Sequence, residues 1–466
     1  MIKTKQKADF IRNDYIASLL NNGKTKSTQE VKFIIEKGKS GTGLTLEEVA
    51  TLLEIDEPRL EEELFQAAAE VKEDIYGRRM VLFAPLYVSN HCVNNCLYCG
   101  YKCSNAIERT RLSDEEIARE IEIIVGMGHK RIALEAGEDP VNCPIDYITH
   151  AMKHIYSLKF NNGEIRRINA NIAATTVENY QKLKEAGVGT YILFQETYHR
   201  DTYNKVHPSG PKADYDYHTT AMDRAMEAGL DDVGIGALFG LYDYKYEVMG
   251  LMLHTKHLED TFGVGPHTIS VPRLRPANDV NLHDYSYIVS DHDFKRIVAI
   301  LRLAVPYTGI ILSTREEPTF REDTMRLGVS QISAGSCTGV SGYKAFVEGK
   351  SNPQFEVADH RSPNEILKSL CQQDYLPSYC TACYRTGRTG DRFMEFARSK
   401  EIHNLCYPNA ILTFKEYLED YGDDDLQGLG NEAIEKNLEN IPNDAVKKET
   451  IERLQRIENG ERDLFM

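Results

Sequence analysis

Between Met80 and about residue 334 the chain alternates short apolar runs with amphipathic helical segments, and this repeat narrows its fold more than any other feature. The runs read as strands are Val81–Ser89, Arg131–Ala136, Arg167–Ile172, Thr190–Gln195, Asp232–Leu238, Thr268–Leu274, Gly309–Ser313 and Ser330–Ala334. Helix starts are legible between them. Ser113-Asp114-Glu115-Glu116 and Thr175-Thr176-Val177-Glu178 read as capping boxes, and Ser290-Asp291-His292-Asp293 as a weaker variant. Gly187 and Gly229, each closing an Ala-Gly step, read as helix C-terminal glycines. Strands separated by helices return the chain to the same end each time, which demands a parallel sheet, and eight of them predict a complete (β/α)8 barrel of the TIM type. Residues 1–80 read as an N-terminal helical extension, with Thr45-Leu46-Glu47-Glu48 as a capping box and Asp56–Ala69 as a further amphipathic run. The barrel is expected over 81–344. Beyond it the alternation stops, and residues 345–466 read as a separate, smaller, mainly helical C-terminal module.

Barrel strand ends share one face. The reading therefore gathers there Cys92, Cys96 and Cys99 after the first strand and Ala136-Gly137-Glu138-Asp139 after the second. Gln195-Glu196-Thr197, His267 and Ser313-Thr314-Arg315-Glu316 are expected with them at later strand ends. The stretch His91-Cys92-Val93-Asn94-Asn95-Cys96-Leu97-Tyr98-Cys99 has the spacing C-x3-C-x2-C, one thiolate short of closing a 4Fe–4S cluster. An open iron is left for a ligand that is not protein. Zinc is the competing reading, but it prefers paired C-x2-C groups, and His91 adjoins Cys92 too closely to converge with it on one ion. The spacing resembles the radical S-adenosylmethionine (SAM) superfamily, in which SAM chelates the open iron through its amino and carboxylate groups. On that resemblance Tyr98 packs near the adenine, and Gly137-Glu138 matches the family's Gly-Gly-Glu step, with Ala136 in place of the first glycine. The same resemblance implies that Glu138 and nearby backbone carbonyls hold the SAM amino group. It also makes Glu196 an acceptor for the ribose hydroxyls. A surface or capping carboxylate is the alternative for Glu196.

A second cysteine group, Cys380-Thr381-Ala382-Cys383, is followed after 22 residues by Cys406. Alone, a C-x2-C pair is ambiguous between zinc, a redox dithiol and iron–sulfur. Both cysteine groups together, with Pro266–Pro276 and Cys383–Gly390, resemble the HydG family, the tyrosine lyases of FeFe-hydrogenase maturation. The resemblance runs from the first helices through Cys406. The thiamine-pathway tyrosine lyases and biotin synthase share the barrel but not these motifs. The resemblance implies a lyase that cleaves L-tyrosine at Cα–Cβ to p-cresol and dehydroglycine. Carbon monoxide and cyanide then form at a second iron–sulfur cluster on Cys380, Cys383 and Cys406, as an iron-bound synthon for the hydrogenase. It makes His267 the ligand of an additional labile iron, against the plainer reading of a hydrogen-bonded histidine. Arg315 offers a donor fork for the tyrosine carboxylate, with Ser313 as an orienting hydroxyl. The alternative is an Arg315 bridged to Glu316 or Glu317. A non-catalytic iron–sulfur scaffold is the reading from another class. Partner maturation proteins and an external reductant are implied.

Composition sets the exclusions. Lys and Arg total 55 against 71 Asp and Glu, and a net charge of −16 with no basic patch argues against nucleic acid. No run of 18 apolar residues is present and the N-terminus lacks an apolar h-region, so neither a membrane span nor a secretory signal is expected. Ten cysteines in such a chain read as ligands or bystander thiols in a reducing cytoplasm. Cys103, Cys143, Cys337 and Cys371 fit no ligand spacing and read as bystanders.

Overall fold

The computed structural model describes residues 7–161, 163–348, 353–398 and 401–466. Its centre is a closed parallel barrel of β1 (Arg79–Ser89), β2 (Arg131–Ala136), β3 (Arg167–Asn171), β4 (Tyr191–Ile192), β5 (Val233–Gly236), β6 (Thr268–Ser270), β7 (Gly309–Leu312) and β8 (Gln331–Ser333). Seven of the eight predicted runs contain one of these strands, and the first falls inside β1, which starts two residues earlier at Arg79. Closure is made by β1, which pairs with β8 over Val81–Phe83 and with β2 from Ala84 to Ser89. β4 is short, yet its ladder continues through Leu193 N–H to Gly234 O and Gln195 N–H to Gly236 O.

A ninth strand, β9 (Leu376–Ser378), was not expected. It pairs in parallel with the first residues of β1, Arg79 opposite Leu376 and Val81 opposite Ser378. β1 is the longest strand, at 11 residues, and its N-terminal end runs past the barrel to receive β9. One apolar core runs without a break from Ile11 through the barrel to Ile457, and it includes Leu376 and the long helix Ile402–Tyr421.

Local chemistry explains most element boundaries. Thr45–Glu48 and Ser113–Glu116 form reciprocal capping boxes. At Thr176 the expectation is corrected: its hydroxyl caps Asn179 N–H, and no carboxylate returns the bond because Glu178 stands one residue too early. Ser290 caps Asp293 N–H. Gly187 and Gly229 adopt φ of +81° and +82°, the left-handed region that ends helices and disfavours a Cβ. Helix Pro58–Tyr76 packs on Asp291–Ala304, and Leu46–Leu53 on Tyr244–Phe262, so the N-terminal helices wrap the barrel's outer ring. No helix among the described residues is long and apolar enough to cross a membrane.

Candidate active site and second cysteine site

The loop after β1 carries Cys92, Cys96 and Cys99 over the C-terminal mouth of the barrel, beside a cavity of about 240 Å³. None of the chain's cysteines is in a disulfide. Donors converge on the sulfurs: Tyr101 N–H and Gln354 Nε2 reach Cys99 Sγ at 3.4 and 3.5 Å, and Asn94 Nδ2 lies 3.9 Å from Cys92 Sγ. Such donors stabilise thiolate charge in iron–sulfur sites. Among the described residues no three His, Cys, Asp or Glu side chains converge as a cage for a single metal ion.

The turn after β2 is stitched to this loop. Val93 N–H donates to Glu138 O at 2.8 Å, Gly137 N–H to Ser89 O at 3.0 Å, and Asn94 Nδ2 to Glu138 Oε2 at 2.6 Å. Burial holds the Glu138 carboxyl above its usual range, opposed by the Asn94 bond and by Lys212. At Gly137 a Cβ would stand 2.3 Å from His91 O and 3.2 Å from Cys92 Cβ. Glycine is needed here for close approach. Gly137→Ala should displace the cysteine loop at a cost of about 1–3 kcal/mol. Isothermal titration with SAM should show a corresponding loss of affinity, and iron content should fall with it.

Glu196 is buried, with φ +68°, a conformation few non-glycine residues adopt outside functional turns. Its carboxylate meets Lys212 Nζ at 2.7 Å, so it is neither a surface nor a capping group. Sequence reasoning missed Lys212. It lies in a Ser-Gly-Pro-Lys turn with no motif to mark it, yet its ammonium turns in beside Tyr98, 5.8 Å from the ring centre, and its side chain is only 16% exposed. Burial works against the Lys212 charge, but Glu196 and the Cys96 thiol outweigh it and raise its pKa. The Tyr98 hydroxyl is bonded to His207 Nε2 at 2.8 Å, which leaves its ring as a wall of the cavity.

Across the cavity stand Ser313 and Arg315. The Arg315 guanidinium lies 3.4 Å over the Phe355 ring and makes no ion pair among the described residues. Glu316, its alternative partner, is taken by Arg273 and Arg275. Ser313 Oγ accepts from Arg315 N–H at 3.4 Å. Glu135, also unforeseen, faces the same cavity, its pKa pushed up to about 8 by burial against a bond from Asn171.

His267 is the clear correction. It stands before β6, at the N-terminal mouth, and does not join the C-terminal strand ends. There it lines a smaller cavity, about 50 Å³, with Cys380, Cys383 and Cys406. β9 delivers Cys380, the turn Ala382–Arg385 holds Cys383, and helix Ile402–Tyr421 supplies Cys406. Beside Cys383, and against the effect of burial, the Cys406 thiol is held below its usual range, with Arg79 and Arg388 helping, while Cys383 is pushed up. His267 Nε2 meets the Tyr384 hydroxyl at 3.2 Å, while Nδ1 lies 3.5 Å from Asp232 Oδ1 and has no hydrogen-bond partner. Of the four cysteines expected as bystanders, Cys143 and Cys371 are buried, Cys337 is partly so and Cys103 is exposed.

A barrel that places three unpaired thiols of a C-x3-C-x2-C loop over its mouth, fastened to a Gly-Glu turn, has the architecture of a radical SAM enzyme. Residues 86–252 match the family model for the radical SAM superfamily, and residues 270–376 match the biotin and thiamin synthesis associated domain. The 2-iminoacetate synthase of Escherichia coli K12 is 30% identical over 375 residues, spanning 80% of this chain and 94% of its own. A crystal structure of HydG, a maturase of the FeFe-hydrogenase, is 62% identical with a TM-score of 0.96 over 98% of this chain and 100% of that one. HydG from Carboxydothermus hydrogenoformans is 42% identical, with a TM-score of 0.83 over 95% and 97% of the two chains. The chain belongs to the HydG family of FeFe-hydrogenase maturases. The radical SAM fold implies SAM and a 4Fe–4S cluster, and the free thiols, the sulfur-directed donors and the Gly137 cradle fit them.

Proposed function

We propose that this enzyme cleaves L-tyrosine at Cα–Cβ, releasing p-cresol and dehydroglycine, and converts the fragment to carbon monoxide and cyanide at a second iron–sulfur cluster. The product is an iron-bound synthon for the hydrogenase active site. The observation that carries this reading is the Arg315 guanidinium, half-buried over Phe355 without an ion-paired carboxylate among the described residues, facing the cavity that the three thiols overlook. A cation fork of that kind, open to the cavity, is suited to an amino-acid carboxylate. Its relative in Escherichia coli is named for making 2-iminoacetate, which is dehydroglycine.

In this reading Cys92, Cys96 and Cys99 hold the 4Fe–4S cluster, and Gly137, Glu138, Glu196 and Tyr98 hold SAM. When bound, these cofactors supply reductive SAM cleavage and hydrogen-atom abstraction. The chain's own work is positional: Arg315 and Ser313 fix the tyrosine carboxylate, and the cavity walls exclude water. Cys380, Cys383 and Cys406 hold the second cluster, with His267 for an additional labile iron. Nδ1 of His267 and the three free thiols fit that role in donor chemistry. A thiamine-pathway lyase stops at dehydroglycine and needs no second thiol set, and a scaffold needs no carboxylate fork. The reaction requires an external reductant and hands its product to partner maturation proteins.

The test is one anaerobic reaction with reductant, SAM and tyrosine, assayed for p-cresol, cyanide and carbon monoxide. Absence of p-cresol would end the lyase reading. Arg315→Lys keeps the charge but loses the planar grip, and losing a charged hydrogen bond costs about 1.5–3 kcal/mol. Tyrosine affinity should fall about 10- to 100-fold with SAM affinity near wild type, as read by equilibrium dialysis of each ligand. Unchanged tyrosine affinity would return Arg315 to a structural role.

A further inference from the structure

Three cations lie behind the second cysteine site without a paired carboxylate among the described residues. Arg79, Lys72 and Arg302 are all buried, and none makes an ion pair among the described residues. Lys72 donates to Gly77 O at 2.7 Å, and Arg302 donates to the carbonyls of Pro306, Thr308 and Gly328. On the barrel side Arg131 bonds Cys380 O at 2.9 Å and Gln331. Arg79 differs from all of these. Its side chain makes no hydrogen bond among the described residues, and it lines the small cavity with the three thiols. Arg388, the other nearby cation, is engaged by Thr386 and by the Met466 carbonyl.

Burying a guanidinium without an acceptor is unfavourable unless an anion faces it. Asp232 lines the same cavity but makes no ion pair with Arg79; the three thiols Cys380, Cys383 and Cys406 share the cavity wall with it. β-Pairing explains the placement, since Arg79 sits opposite Leu376, four residues before Cys380. An iron–sulfur cluster held by thiolates carries net negative charge and gains another on reduction. A fixed cation beside it therefore favours the reduced form, net charge being one of the main controls of cluster potential.

We infer that Arg79 is the charge partner of the second cluster, a positioning residue that raises the cluster's reduction potential and favours its assembly. This rests on the reading of Cys380, Cys383 and Cys406 as cluster ligands. The test uses the full chain carrying Cys92→Ala, Cys96→Ala and Cys99→Ala, so that one cluster remains, reconstituted anaerobically with iron and sulfide. Iron content and an EPR-monitored redox titration are then compared for Arg79, Arg79→Lys and Arg79→Met. The expected result is a more negative potential in Arg79→Met, with Arg79→Lys recovering most of the difference. Failure of Arg79→Met to load, with loading restored in Arg79→Lys, would support the same role. An unchanged potential in Arg79→Met, equal effects of Met and Lys, or loss of loading in both would overturn it. If the Arg79 parent itself loads no cluster, the second-cluster reading falls, and this proposal with it.

Discussion

Alanine at Cys92, Cys96 or Cys99 is expected to abolish both SAM cleavage and p-cresol release. Three thiolates already leave one iron without a protein ligand, so a further loss leaves a cluster that cannot be held in register with its substrate. The geometry offers no replacement. Cys143, the nearby spare thiol, is buried after the β2 turn, and its pKa is pushed up to about 11 by burial. Gln354 and the Tyr101 amide, which donate to Cys99, cannot ligate iron as thiolates do. 5′-Deoxyadenosine and p-cresol should both fall to background in anaerobic assays of each variant. Wild-type p-cresol from Cys96→Ala would remove the basis for placing the radical chemistry at this loop.

Cys380→Ala/Cys383→Ala should split the reaction instead of stopping it. Everything proposed for Cα–Cβ cleavage lies at the C-terminal mouth of the barrel, from Cys92 to Arg315. The thiols of the second set lie at the N-terminal mouth, with His267. The double variant should therefore still release p-cresol while losing carbon monoxide and the iron-bound product. His267→Ala should keep the second cluster and lose only the labile iron, visible as reduced iron content. Carbon monoxide at the wild-type rate from the double cysteine variant would make the C-terminal thiols structural.

Much of this was readable from residue patterns because it depends on local chemistry. Apolar periodicity placed all eight barrel strands, and capping hydroxyls with C-terminal glycines placed the helices between them. The cysteine spacings were visible because ligands for one cluster must lie close along the loop that wraps it. β9 was not legible. Leu376-Pro377-Ser378 is three residues long and carries a proline, which disfavours strand on its own. Only the overhanging end of β1 makes it one. Lys212 escaped for a similar reason: a lysine in a Gly-Pro turn reads as solvent-facing until the fold pairs it with Glu196.

The amino-acid sequence by itself determined the barrel, the three-thiol loop with its Gly137-Glu138 turn, and the existence of a second thiol set. Each of these is written in neighbouring residues or in a strong period. The tertiary structure decided which mouth of the barrel each group occupies. His267 precedes its strand, and parallel strands send such residues to the N-terminal mouth, beside cysteines more than 100 positions later in the chain. It also decided which charges are free. Arg273 and Arg275 claim Glu316 and leave Arg315 open, and among the described residues no carboxylate pairs with Arg79. Pairing of that kind depends on distances between distant segments, which no local pattern encodes.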